Sequence, residues 1–183
     1  MRASILCEVL LVILIFTSCQ KEIYYFSDDE KLILVYETGD SFNLLVEPSL
    51  DTLKCKVVSK EIYHRKDKYA FHIGPTYSEI CDINIEGDSL KIDLEFIKTL
   101  EGLIINFTGN YINFSDFLNF AFASEKSQNL FKDSVLIHQK LYKNVQIIEG
   151  ITGSGDTLFY SSEKGILKFS NSGTGEVFTL IDK

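Results

Sequence analysis

The strongest constraint on this chain is an alternation of period two. In Leu90-Lys91-Ile92-Asp93-Leu94-Glu95-Phe96 every second residue is apolar and each residue between them is charged. Successive side chains of a strand point to opposite faces, so this segment offers one face to a core and one to water. Just upstream, Ile83 and Ile85 alternate with Asn84 and Glu86, and Gly87-Asp88 supplies a turn. Residues 79–97 therefore read as a β-hairpin. The same pattern predicts strands over Leu32–Glu37, Phe42–Glu47, Leu53–Tyr63, Tyr69–Ile73 and Leu103–Thr108. Four more follow at Val145–Glu149, Thr157–Ser161, Ile166–Ser170 and Glu176–Ile181, separated by glycine- and serine-rich turns.

Short connections favour antiparallel neighbours, and one-sided alternation argues against a parallel sheet, whose strands are apolar on both faces. One segment departs from the pattern. Phe114, Phe117, Leu118, Ala121 and Phe122 fall at helical spacing behind Ser115, which predicts a short helix with a serine cap. No repeat and no Pro/Gly/Ser-rich linker divides the chain. The expected fold is mainly β: a single antiparallel β-barrel or β-sandwich domain with at most one or two short helices. At 45% hydrophobic and 13% aromatic residues, the chain is too apolar for disorder. Its net charge of −8 excludes a partner held through phosphate charge, so no nucleic acid is expected, and it disfavours electrostatic adhesion to anionic lipid.

The amino terminus carries a different signal. Arg2 precedes an unbroken apolar run from Val9 to Phe16, and Thr17-Ser18-Cys19 follows at once. A membrane-spanning helix needs about 20 apolar residues, so this run has the length of a signal-peptide core instead. Small residues just before Cys19 resemble the lipobox of bacterial lipoproteins, in which that cysteine is acylated and becomes the first mature residue. The resulting division is a signal peptide at 1–18, a lipidated cysteine and tether at 19–30, and a β-domain at 31–183. More than one hydrocarbon chain on Cys19 gives stable attachment. The membrane is thus the first expected partner, at the bacterial envelope and on the outer membrane. Gln20-Lys21-Glu22 resembles the start of the surface-export signal of Bacteroidetes-type lipoproteins, although Ile23 ends the acidic run. Periplasmic and surface exposure both stay open.

From Tyr142 onward the chain reads YKNVQIIEGITGSGDTLFYSSEKGILKFSNSGTGEVFTL. This resembles the ending of a family of small Bacteroidetes-type lipoproteins without an assigned activity. The matching positions are Tyr142, Lys143, Val145, Phe159, Tyr160, Ser161, Lys164, Gly165, Ile166, Phe169, Gly175, Glu176 and Leu180. The resemblance implies a closing hairpin and brings no enzyme chemistry with it.

Few residues invite a chemical role. Cys55 shares parity with Leu53 and Val57, and Cys81 with Ile83 and Ile85, so both thiols are expected in the core. They form either a disulfide, worth about 3–4 kcal/mol in the chain-entropy model, or two free buried thiols. His64, His72 and His138 lack any ligand spacing, so no metal and no cofactor are expected. Gly153-Ser154-Gly155-Asp156-Thr157 lacks the lysine and helix of a phosphate loop and reads as a turn. Asp28-Asp29-Glu30 reads as part of a solvated tether rather than a calcium loop. Tyr111, Phe117, Phe120 and Phe122 stand in a dense aromatic stretch and are candidates for a ligand or partner surface.

Two functions follow. The first is a non-catalytic envelope lipoprotein that binds another envelope protein or an apolar small molecule. The second is an envelope-polymer hydrolase working through carboxylates such as Glu79, Asp82, Glu86 or Asp93, with Glu86 and Asp93 on one face of the hairpin.

Overall fold

The computed structural model describes residues 21–66, 76–100, 102–109, 112–118, 131–149 and 156–182. Twelve strands form a single sheet: β1 (Glu22–Tyr24), β2 (Ser41–Glu47), β3 (Asp51–Lys66), β4 (Thr76–Gly87), β5 (Lys91–Lys98), β6 (Leu103–Gly109), β7 (Ile112–Leu118), β8 (Phe131–Ile137), β9 (Lys140–Glu149), β10 (Thr157–Ser161), β11 (Gly165–Asn171) and β12 (Glu176–Asp182). The one described helix is α1, Asp28–Lys31. Strand order is β7-β6-β5-β4-β3-β2-β12-β11-β10-β9-β8, so two antiparallel meanders join where β2 pairs β12. The mainly-β, antiparallel expectation holds.

The sheet does not lie flat. β5 and β10 stand six places apart in the order, which spans about 29 Å across a flat sheet. Yet the Phe96 ring on β5 is 6.0 Å from the Tyr160 ring on β10, and Phe107 on β6 is 5.3 Å from Phe169 on β11. The sheet therefore curls until its halves face each other. Among the described residues no ladder joins β7 to β8, although β7 comes close to β9. Ile83, Ile85, Ile92, Phe96, Phe107, Leu158 and Phe169 are buried on the inner side. Among the described residues these seven side chains have essentially no accessible surface, as in a close-packed interior.

Turn chemistry fixes the registers. The Gly87 N–H donates to the Leu90 carbonyl and closes the β4–β5 turn. Asn171 Oδ1 accepts from the Gly173 and Thr174 N–H groups between β11 and β12. His138 and Gln139 both have positive φ and link β8 to β9 in a two-residue loop of the kind usually made with Asn-Gly.

Three expectations are corrected. Residues 112–118 form strand β7, paired to β6 from Leu103↔Leu118 to Gly109↔Ile112, and not the start of a helix. The open edge of β6 offers a full row of backbone groups, while Asn113, Ser115 and Asp116 are weak helix formers. Residues 32–37 are not a strand. They run in turns across the inner side, with Ile33, Leu34 and Tyr36 buried and Leu32 exposed. Finally, residues 22–30 are not a tether. β1 adds in parallel to the start of β4, Phe26 is buried, and α1 carries a capping box between Ser27 and Glu30. The predicted strand at 69–73 lies outside the described residues, as do most of the 153–157 turn and Cys19.

Segment 22–40 acts as a strap across the curled sheet. The Tyr160 hydroxyl donates to the Ile33 carbonyl at 2.7 Å, and the Ile166 N–H donates to the Tyr36 hydroxyl at 2.8 Å. Both phenols are fully buried, so each bond replaces one that water would have made. On the other half, Lys60 Nζ donates to the Leu34 carbonyl and pairs with Glu37, while Lys98 pairs with Glu30 at 2.7 Å. The Tyr36 ring lies close against residue 165. A Cβ there would come within 2.5 Å of the ring, and Gly165 has φ +80°, so two independent demands select glycine.

Gly165→Ala should lower stability by about 2–4 kcal/mol, combining left-handed strain with a clash against Tyr36. Tyr36→Phe, which leaves the Ile166 N–H unsatisfied, should cost about 1–3 kcal/mol. Urea denaturation midpoints measure both, and an unchanged midpoint for Gly165→Ala would contradict the packing described.

Candidate functional site

The outer face of β3–β6 carries the densest polar constellation among the described residues. Strand register builds it row by row. Asp82 on β4 stands directly opposite Glu95 on β5, which stands opposite Asn106 on β6. Directly opposed residues bring their Cβ atoms to about 5 Å, so two carboxylates share one small area. Tyr63 and Arg65 reach over from the end of β3. The Tyr63 hydroxyl donates to Asp82 at 2.7 Å, Arg65 Nη1 pairs with Glu95 at 2.7 Å, and Asn106 Nδ2 donates to the other Glu95 oxygen at 2.7 Å.

The two acids differ in environment. Desolvation, opposed by the Tyr63 hydrogen bond and reinforced by the Glu95 charge, raises the Asp82 pKa above the usual aspartate value. The hydrogen bond to Asp82 is the largest cause raising the Tyr63 phenol in turn. Glu95 is gripped by a guanidinium and an amide. Chemically, the site sets a carboxyl that holds its proton more tightly than usual beside a carboxylate bonded by a guanidinium and an amide.

The nominated carboxylates are scattered. Glu79 accepts the Phe26 N–H at 2.7 Å and lies 3.9 Å from His64 Nε2, so it holds the strap. Glu86 faces Lys91, and Asp93 faces Asn84, so the two acids share a side of the hairpin but oppose other residues. One Asp93 oxygen is buried without a hydrogen-bond partner. The close pair that does form, Asp82 with Glu95, includes an acid that the sequence reading did not nominate. The signal was present: a turn closed from Gly87 to Leu90 sets Glu86 against Lys91, and counting back sets Asp82 against Glu95.

Phe117 is in β7 at the position opposite Ile104, while Tyr111, Phe120 and Phe122 lie outside the described residues. Cys55 and Cys81 are buried as expected but unpaired. Their strands are neighbours, yet Cys55 opposes Gly87, six positions along β4 from Cys81. That offset is about 20 Å, against the 7 Å or less between Cα atoms that a disulfide needs. Burial pushes each thiol up to about 11. Among the described residues no group of three or more His, Cys, Asp or Glu is placed to hold a metal. No described helix is long and apolar enough to cross a membrane. No family model, curated protein or solved structure matches the chain.

Two outcomes are expected. The Cys55 and Cys81 thiols should resist an aromatic disulfide reagent in native buffer and both react in guanidinium without prior reduction. Thiols appearing only after reductant would mean a bridge. Second, the raised Asp82 pKa means that the unfolded chain gives up this proton first as pH rises. Between the two pKa values the folded state holds more protons, so this group's contribution to stability falls as pH rises through that window. Asp82→Asn should therefore gain on the wild type as pH rises through and above the ordinary aspartate range, and then run parallel to it. Urea midpoints across that range measure the difference, and a constant offset would contradict the shift.

Proposed function

We propose that this chain is a lipid-anchored protein of the bacterial envelope whose β-domain is a non-catalytic binding or structural module. The observation that carries the reading is the order of signals at the amino terminus: Arg2, the apolar run Val9–Phe16, Thr17-Ser18, then Cys19. The fold is consistent with it, because the strap begins three residues later, at Glu22. An inner side filled by Phe96, Phe107 and Phe169 supports recognition on the surface rather than in an enclosed pocket. The outer face supplies a suitable patch. Asp82, Glu95, Tyr63 and Arg65 hold one another in place, and preorganised polar groups bind a partner with little further loss of freedom. The partner supported by this geometry is another envelope protein with donor groups for the two acids.

A second reading, an envelope-polymer hydrolase, draws on the same opposition of Asp82 and Glu95. A carboxyl with a raised pKa beside a second carboxylate is the pairing that glycoside hydrolysis uses. Against it stands the engagement of Glu95 by Arg65 and Asn106, which leaves that carboxylate little freedom to act as base or nucleophile. Incubation of the protein with purified envelope polysaccharide distinguishes the two: product release lost in Glu95→Gln favours the hydrolase.

Cys19→Ala should abolish labelling by palmitate and leave an unprocessed precursor, while the melting transition of the β-domain stays unchanged. Palmitate incorporation by the Cys19→Ala protein, or a mature amino terminus upstream of residue 19, would overturn the lipoprotein reading.

A further inference from the structure

The chain is short between its anchor and its fold. β1 begins at Glu22, three residues after Cys19, and it is pinned to β4 through Glu22↔Thr76, Ile23↔Tyr77 and Tyr24↔Ser78. Three residues span at most about 11 Å. The headgroup layer on each side of a bilayer is about 5–8 Å deep. A domain whose first strand is tied so close to an acylated cysteine cannot stand clear of the lipid surface. One end of the sheet must meet it.

Which end is fixed by the pairing. β1 runs parallel to β4, so the chain enters the sheet at the end where β4 begins and β3 finishes. The side chains there suit a headgroup layer. Tyr25 is 55% exposed and Ile62 52%. Lys21 places its ammonium 4.2 Å from the Tyr77 ring, and Lys66 stands exposed opposite Tyr77. Tyrosine belongs at a membrane–water boundary because its ring is apolar and its hydroxyl is not, and lysine stems lie along lipid while their charge stays in water. The other end of β4, at the Gly87-Asp88 turn, is about 36 Å away.

We infer that the end of the sheet formed by Lys21, Tyr25, Ile62, Lys66 and Tyr77 is a membrane-docking surface, seated on the phospholipid headgroups of the bilayer that holds the acyl chains of Cys19. The inference rests on the acylation of Cys19. It adds an orientation: strands β3 and β4 stand on the membrane, and the Gly87-Asp88 turn points away from it. The general surface, with a net charge of −8, gains nothing from anionic lipid, so the short link rather than charge holds this end down.

The chain contains no tryptophan, which makes a single introduced one a clean reporter. Full-length protein expressed with its signal would be purified in detergent, checked by mass for acylation, and reconstituted into phospholipid vesicles brominated on the upper acyl chain. Tyr25→Trp and Ile62→Trp, both at exposed positions, should lose emission and shift to the blue in these vesicles. Asp88→Trp, at the far turn, should keep its emission. Acylated protein in which residues 25 and 62 are as unquenched as residue 88 would overturn the docking surface and leave the lipoprotein reading intact. Protein without acyl mass would sink both together.

Discussion

Everything in this fold hangs on two phenols that bond backbone across the inside of the curled sheet. Tyr160 donates to the Ile33 carbonyl, and Tyr36 accepts from the Ile166 N–H. The sheet itself gives no reason for its halves to meet at this angle, since backbone ladders are satisfied in flat and curled forms alike. Segment 33–36 supplies the reason. It has no ladder of its own, so its buried polar groups need partners, and those come from β10 and β11 on one side and Lys60 of β3 on the other. Gly165 is the concession that lets the Tyr36 ring into contact with β11. A buried unsatisfied carbonyl or amide costs about 1–3 kcal/mol, so strap and curl stabilise each other.

The alternating strands were legible because each buries one face, and that demand writes itself into every second residue. β5, β6 and β10 fall within a residue or two of the pattern that predicted them. The pattern failed where burial is not one-sided. Residues 32–36 are apolar in succession because most of them are enclosed in the strap, and a continuous run cannot tell strand from buried turn. β8 is a largely exposed strand with little alternation, and its turn uses His138 and Gln139 where Asn or Gly would announce a hairpin. In β7 a helical spacing of aromatics lost to the pairing offered by β6. The capping box Ser27-Asp28-Asp29-Glu30 stood in plain view, but a four-residue helix in a presumed tether is easy to pass over.

The candidate site was half legible. Asp82 was nominated for its place in the hairpin, but its partner required the register, and the register required the turn at Gly87–Leu90 to be closed in one particular way. The contributions of Tyr63 and Arg65 were out of reach altogether. They come from β3, whose alignment to β4 shifts by a bulge between Val57 and Ser59. A one-residue shift moves every later side chain relative to its neighbours, and nothing in the local sequence announces it. The same limit applied to Cys55 and Cys81: parity put both in the core, while the pairing of their strands set them far apart.

The joint between β2 and β12 bears on the order in which the molecule can assemble. Each meander is a run of hairpins between near neighbours and needs only local encounters to form. The joint links residues 41–47 to residues 176–182, and closing so long a loop is a late and slow event. Until β12 is present, β2 and β11 are open edges, each offering an unpaired row of backbone groups to any other strand. A sheet built this way keeps both edges exposed until residues 41–47 and 176–182 have met.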